Sequence, residues 1–202
     1  MKRIIAVILS SLVLSSIPIS SVEREPITNY QVLFSPEDHI ADQRISLIQK
    51  EKKSIKAAVY CLMHQGIADA LVDAHERGVK VEVIVDPFSL KSRSAPVKKM
   101  EAANIVFVWN PEVVPAIEGK KTNKRKPLMH DKFCILGNSK VWTGSFNFTS
   151  EATNSNQENV IILQSKEVAS SYLEEFKRLK KQGCMPLTEY LEERKKNQKS
   201  SS

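Results

Sequence analysis

The order of apolar and polar positions predicts strands that alternate with helices along the first half of the chain. The predicted strands cover residues 30–34, 54–61, 79–85 and 105–109, and the predicted helices cover about 36–52, 67–77 and 97–103. Ser35 and Pro36 are residue types that begin helices, and Gly78 is a type that ends them. The unit of strand 54–61, helix 67–77 and strand 79–85 favours parallel pairing, so this half indicates an α/β sandwich.

The second half of the chain predicts a hairpin, a further strand and a closing helix. The hairpin strands are 128–136 and 140–143, the further strand is 159–163, and an amphipathic helix covers 166–181. The tail from Arg194 is polar and is expected to fray. Trp142 and the phenylalanines are expected in the core rather than as stacking platforms for bases. The whole pattern predicts a single α/β domain over 22–202, with a mixed β-sheet flanked by helices.

The first 21 residues have the order of parts of a secretory signal peptide. A basic start at Lys2 and Arg3 precedes an apolar run from Ile4 to Leu14, and small residues with one proline lead to Ser21. Serines interrupt the apolar stretch, which is also short of the ~20 residues that a membrane span needs. The sequence therefore predicts export to the periplasm or the medium, with a retained N-terminal membrane anchor as the alternative.

The chain is basic, with a formal net charge of +7. Removal of residues 1–21 takes away Lys2 and Arg3 and no acid, so the charge falls from +7 to +5. Such a charge fits nucleic acid, phospholipid headgroups or a solvated surface. Part of it lies in a predicted loop directly before His130, where we expect it to bind substrate phosphates. These residues are Lys120, Lys121, Lys124, Arg125 and Lys126.

Two adjacent predicted strands place polar side chains together on one face. His130 and Lys132 alternate with apolar residues in the first, and Ser145 and Asn147 do so after the second. The side chains expected to face the core are Phe133, Ile135, Phe146 and Phe148, whereas Cys134 is expected on the polar face. An imidazole, an ammonium, a hydroxyl and an amide in one cleft suit an anionic tetrahedral substrate. No paired carboxylates and no zinc-type spacing lie nearby, so no metal or other cofactor is predicted.

These motifs resemble those of the phospholipase D superfamily. The resemblance lies in His130-x-Lys132, in the stretch 143–149 and in the stretch 156–159, and it is closest to small bacterial endonucleases with one HxK motif. Residues 55–86 resemble the amino-terminal half of the same family, so the likeness covers most of 30–180. HxK alone is a weak signal, but Ser145 fifteen residues after His130 and Glu158 thirteen residues after Ser145 make it specific.

The resemblance implies a role for each matching residue. His130 would form a covalent phosphohistidine, Lys132 and Asn147 would bind the nonbridging phosphate oxygens, and Ser145 would support them. Glu158 would accept a hydrogen bond from a catalytic imidazole. The family uses two HxK motifs per active site and this chain has one, which implies a homodimer with the site at its two-fold axis. The second His130 would then protonate the leaving oxygen, without a metal.

The family motif ends in an aspartate seven residues after the histidine, where this chain has Gly137. Gly137 and Asn138 predict a tight turn that replaces a structural aspartate, although loss of activity is the alternative. Our main hypothesis is a metal-independent endonuclease. The alternatives are a phospholipase D that converts phosphatidylcholine-like lipids to phosphatidic acid, and an inactive dimer that binds nucleic acid.

Overall fold

Strands and helices alternate along the first half of the chain, as predicted. The computed structural model describes residues 29–91, 96–110 and 127–199, so the predicted signal segment and the cluster from Lys120 to Lys126 lie outside the described residues. The elements are β1 (Tyr30–Ser35), α1 (Ile40–Lys50), β2 (Ser54–Val59), α2 (Gln65–Glu76), β3 (Lys80–Val85), a 3-10 turn (Pro87–Leu90), α3 (Pro96–Lys99) and β4 (Val106–Trp109). β2 pairs in parallel with β3, and β3 with β4, which confirms the predicted parallel pairing.

The second half adds antiparallel strands to this parallel core. Its elements are β5 (Lys132–Leu136), β6 (Lys140–Gly144), α4 (Ser150–Asn154), β7 (Glu158–Gln164), α5 (Lys166–Gly183), β8 (Cys184–Pro186) and α6 (Leu187–Lys199). Within the described ranges the strands form one eight-stranded sheet in the order β1-β7-β6-β5-β2-β3-β4-β8. The predicted mixed sheet flanked by helices is confirmed. The predicted fraying from Arg194 is wrong, because α6 continues to Lys199 and Leu187 anchors its start in the core.

Both faces of the central strands are buried. The helices α1 and α2 pack on one face with Cys134 beneath them, and α5 packs on the other face against Phe133. Cys134 lies on the same side of the strand as Lys132, as expected, but the helices cover it there and it is only 2% exposed. A strand between two helix layers buries alternate residues on both sides, whereas strict alternation assumes one solvated face. No helix in the described ranges is both long and apolar enough to cross a membrane.

Two predicted element starts are also wrong. The helix α1 begins at Ile40 rather than at Pro36, because Ser35 is the last residue of β1 and its hydroxyl donates to Asn156 O at 3.0 Å. The strand β5 begins at Lys132 rather than at Leu128, which leaves His130 in the segment before the strand. Contacts across the sheet override the local signal in both cases.

Six neighbouring strands, from β1 to β3 in the sheet order, begin or end at the edge of the sheet that carries the predicted site residues. The registers pair Val59 with Lys132, Gly144 with Val160 and Ser35 with Glu158. The carboxyl ends of β1, β2, β3 and β6 therefore meet the amino ends of β5 and β7 at this edge. The short segments that carry the predicted site residues leave the sheet there.

Candidate active site

His130 and Lys132 lie side by side at the amino end of β5. Tyr60 at the end of β2 donates its backbone N–H to Asp131 O at 2.9 Å, which holds this segment in place. Lys132 Nζ lies 3.1 Å from His130 Nδ1 and donates to His130 O at 2.7 Å. Because an ammonium only donates, Nδ1 accepts in this arrangement and Nε2 carries the proton of the neutral ring. The His130 side chain is exposed to solvent.

Lys132 occupies a partly desolvated position. Burial lowers the pKa of its ammonium, and the nearby carboxylates of Asp131 and Glu158 act in the opposite direction. The ammonium also lies 5.5 Å from the centre of the Tyr60 ring. A cation that has lost part of its hydration gains more from a bound anion than a fully solvated lysine does. Lys132 is therefore well placed to bind a phosphate oxygen.

Ser145 and Glu158 form a hydrogen-bonded unit beyond the end of β6. The Ser145 hydroxyl donates to Glu158 Oε2 at 2.5 Å and accepts from Asn159 N at 3.0 Å. Asn156 Nδ2 donates to the other Glu158 oxygen at 3.1 Å. The hydroxyl hydrogen is thus committed to Glu158, which makes Ser145 a support for that carboxylate. The predicted bond from an imidazole to Glu158 is not made within the described residues of one chain.

Gly144 allows this unit to approach β7. A Cβ atom built on Gly144 would lie 2.1 Å from Asn159 O, a backbone atom that cannot move away cheaply. Ser145 N donates to the same oxygen at 3.0 Å. The glycine is therefore required by the close approach of the two strands.

Asn147 lies between two buried phenylalanines in the segment that follows. Phe146 and Phe148 are each 1% exposed, and Phe148 N donates to Cys61 O at 2.9 Å. Backbone hydrogen bonds therefore join the segment after β2 to Phe148 through Cys61, and to the residue after His130 through Tyr60. Asn147 Oδ1 is buried and has no hydrogen-bond partner in the described part of the chain.

Asp86 is a structural residue of the site that the sequence interpretation missed. It follows β3, is 4% exposed, and accepts hydrogen bonds from Met129 N at 3.1 Å and from Phe88 N at 2.9 Å. It therefore ties the residue before His130 to the end of β3. An aspartate that directly follows a predicted buried strand, and so lies at the carboxyl end of that strand, is the sequence signal that could have found it.

Gly137 lies at the opposite end of β5 from Lys132. The five-residue separation in a strand corresponds to roughly 16 Å. Gly137 has a φ of 62°, begins the turn to β6 and donates its N–H to Ser54 O at 2.8 Å. The replaced motif aspartate would thus sit in a strand connection far from His130 and Lys132. The described residues contain no cluster of three or more His, Cys, Asp or Glu that could hold a metal ion.

Comparison with known proteins places this geometry in a family. Residues 45–180 match the family model described as cardiolipin synthase, PLD-like domain. The phospholipase D of Rickettsia conorii is 32% identical over 166 residues, which is 82% of this chain and 75% of that protein. The crystal structure of Nuc from Salmonella typhimurium, a phospholipase D family member, aligns with a TM-score of 0.63 and 30% identity over 78% of this chain and 97% of that one.

NucT from Helicobacter pylori aligns with a TM-score of 0.69 over 79% of this chain and 99% of that one. Its identity of 20% supports the fold alone. The family model covers more than half of the chain and includes His130, Lys132, Ser145, Asn147 and Glu158. The chain therefore belongs to the phospholipase D superfamily, whose members are phosphodiesterases.

Proposed function

We propose that this protein is a metal-independent nuclease that hydrolyses phosphodiester bonds of nucleic acid through a covalent phosphohistidine at a homodimer interface. The observation that supports this best is the pair of His130 and Lys132 at the sheet edge where Ser145, Asn147 and Glu158 also lie. A nucleophile, a cation and an amide around one exposed position match the needs of phosphoryl transfer.

In the proposed reaction, His130 Nε2 attacks the phosphorus and the bond from phosphorus to the leaving oxygen breaks. Attack through Nε2 requires the proton on Nδ1, so Lys132 must first turn from Nδ1 to a phosphate oxygen. A carboxylate can then accept from Nδ1–H, and Glu158 is the candidate. Water later attacks the phosphohistidine, the N–P bond breaks, and the product phosphate leaves.

The leaving oxygen needs a proton, and the described residues of one chain supply no second histidine beside His130. We assign that role to His130 of the partner subunit. An apolar face of β1, formed by Tyr30, Val32 and Phe34, supports a second copy as its cover. These side chains are 58%, 44% and 55% exposed, and β1 ends at Ser35, directly opposite Glu158. An interface on this face would be continuous with the candidate site.

Cleavage in excess EDTA tests the proposal. The protein without residues 1–21 would be incubated with plasmid DNA, single-stranded DNA and RNA, beside His130→Ala and the control His75→Ala, which changes an exposed histidine on α2. We expect cleavage by the wild type and by His75→Ala, and none by His130→Ala. Cleavage that needs a metal, or that survives in His130→Ala, would refute the assigned site.

A phospholipase D activity is the second candidate. It is favoured by the names of the matched family model and of the Rickettsia conorii relative, and it would use the same phosphohistidine chemistry. A phosphatidylcholine vesicle in the same assay separates the two substrates. Release of choline without cleavage of any nucleic acid would replace the nuclease proposal by this one.

A further inference from the structure

A cavity opens between Tyr60, which follows β2, and Leu128 in the segment that leads to His130. It has a volume of about 450 Å³ and lies between the 3-10 turn after β3, the segment before β5 and the helix α6. That volume is within the range of ~300–1,000 Å³ that is typical of small-molecule sites. Its walls include Tyr60, Phe88, Lys91, Leu128 and Arg194.

Two aromatic rings connect this cavity to the nucleophile. The Tyr60 and Phe88 rings stack with centroids 5.1 Å apart and an interplanar angle of 23°. The Tyr60 ring in turn lies 4.7 Å from the His130 ring. We call Tyr60 and Phe88 the aromatic shelf. The prediction that the phenylalanines belong to the core is wrong for Phe88, which is only half-buried, and for Phe34, which is 55% exposed.

A lysine ammonium lies close to each ring of the aromatic shelf. Lys91 Nζ lies 4.1 Å from the centre of the Phe88 ring, and Lys132 Nζ lies 5.5 Å from that of Tyr60. The exposed Arg194 adds a further guanidinium on the cavity wall. Aromatic rings interleaved with basic side chains are typical of grooves that bind single-stranded nucleic acid. Tyr60 stacks on one face of Phe88 and Lys91 covers the other, so a base can stack on Phe88 only when Lys91 moves to a neighbouring phosphate. A quaternary ammonium headgroup would have to displace Lys91 from the same face.

The shelf is held at a fixed place relative to the nucleophile. Asp86 accepts from Phe88 N at 2.9 Å through one carboxylate oxygen and from Met129 N at 3.1 Å through the other. The backbone of the shelf and the residue before His130 are therefore joined by one buried side chain. A group bound on the shelf would have a defined distance to the reacting phosphorus.

We propose that the aromatic shelf binds the base of the nucleotide next to the scissile phosphate, while Lys91 and Arg194 bind the following phosphate. This inference rests on the proposed nuclease function and specifies its substrate as an unpaired strand. Bases in a duplex are stacked between their neighbours and paired, so they cannot stack on a protein ring without leaving the helix. An unpaired strand offers a free π face at each nucleotide.

The test compares Phe88→Leu, Phe88→Tyr and the wild type on a single-stranded oligonucleotide, on the same strand with abasic nucleotides, and on its duplex. We expect Phe88→Leu to lower kcat/KM about five- to hundredfold on the intact strand, the range that loss of one base stack produces. On the abasic strand and the duplex, Phe88→Leu should match the wild type, and Phe88→Tyr should match it on all three. Equal activity on the abasic strand also shows that Phe88→Leu has folded.

Phe107→Leu is a matched control, because Lys180 Nζ lies 3.7 Å from the centre of that ring on β4, outside the cavity. It should leave all three rates unchanged. An unchanged rate of Phe88→Leu on the intact strand, or the same loss on the intact and abasic strands, would overturn the shelf alone. Choline release from phosphatidylcholine vesicles is measured beside the three nucleic acids, and a loss confined to the vesicles would make the cavity a headgroup site and also overturn the shelf. No cleavage of any strand by the wild type would refute the proposed function itself.

Discussion

At Gly144 the backbones of β6 and β7 approach so closely that no side chain fits. We predict that Gly144→Ala lowers the free energy of unfolding by about 2 kcal/mol or more and reduces cleavage severely, because the added Cβ would meet Asn159 O at 2.1 Å. The displaced backbone carries Ser145 and hence Glu158. Thermal unfolding and initial rates provide the measurements.

Gly78→Ala is the matched control for this change. Gly78 also has a positive φ, but nothing lies within 4 Å of its added Cβ. The substitution should cost only the backbone strain of about 1–2 kcal/mol and leave the rate per folded molecule unchanged. Equal rates in the two variants would show that the approach of β6 to β7 does not set the site geometry.

Lys132 should make anion binding sensitive to alkaline pH. Burial lowers the pKa of its ammonium, so the charge is lost at a lower pH than the ~10.4 of an ordinary lysine. Sulfate keeps a constant charge in this range, so we predict that its affinity falls as the pH rises through the Lys132 pKa. Calorimetric titration from pH 7 upward measures this. In Lys132→Arg the guanidinium stays charged, and any affinity that remains should not depend on pH.

The site residues that could be predicted from alternating polar and apolar positions have site partners that are close to them in sequence. Lys132 and His130 are two residues apart, and the segment with Ser145 follows the adjacent strand of the same hairpin. Asp86 could not be assigned in this way, since its partner Met129 lies 43 residues away and meets it only through the sheet order. Tyr60 was missed for the same reason, because its bond to Asp131 joins β2 to β5.

The helix α1 contains a buried charge that the sequence pattern did not indicate. Arg44 is 2% exposed, and its guanidinium lies 4.1 Å from the centre of the Trp142 ring and 3.8 Å from that of Phe148. None of its three side-chain nitrogens has a hydrogen-bond partner in the described ranges, and burial lowers its pKa to about 9. The cation–π contacts therefore offset only part of the desolvation.

We predict that Arg44→Met raises the free energy of unfolding by about 1–3 kcal/mol, since it removes the charge and keeps most of the volume. Arg44→Ala should lower it, because a cavity forms under Trp142 and Phe148. Denaturant titration of both variants distinguishes the two effects. A large loss of stability in Arg44→Met would mean that the stacked cation is a net stabilising contact.

The helix α5 covers the sheet as far as β6, and the apolar face of β1 lies beyond the covered part. Tyr172 on α5 reaches Thr143 of β6 with a hydrogen bond of 3.2 Å, whereas Val32 on β1 remains 44% exposed. We predict that Val32→Glu weakens the proposed dimer at least about hundredfold and abolishes cleavage, because it would place an unpaired carboxylate in the proposed apolar interface. Sedimentation velocity across a dilution series measures this.

Gln31→Glu introduces a carboxylate at the neighbouring position of the same strand, on the opposite face. Gln31 is exposed there and its amide donates to Gln43 Oε1 at 3.3 Å. This variant should remain dimeric and active. A fully active Val32→Glu monomer would remove β1 from the interface and, with it, the support that this face gives to the shared site.

The whole molecule is proposed to work as a dimer in which two copies of His130 have different tasks, and mixed dimers can separate those tasks. One histidine attacks as the neutral ring while the other donates a proton, so a dimer of wild type with His130→Ala lacks one of the two. After full exchange of equal amounts of subunits, about a quarter of the dimers are wild type on both sides. We therefore predict that oligonucleotide cleavage falls to about a quarter of the wild-type rate at the same total protein concentration.

A nucleotide nitrophenyl ester changes that prediction in a defined way. Its leaving group is acidic and departs without a proton, so a mixed dimer can still form the phosphohistidine with its single nucleophile. Each dimer has one shared site, so the wild-type dimers (about a quarter) and the mixed dimers (about half) each release one nitrophenol, and the burst in the first turnover should fall only to about three quarters. Independent protomers would give about half for both substrates, and an equal mixture with His75→Ala should lose nothing. A loss to half on the oligonucleotide would thus exclude the paired-histidine mechanism, whereas a quarter on the oligonucleotide and three quarters on the ester would identify which step needs the second His130.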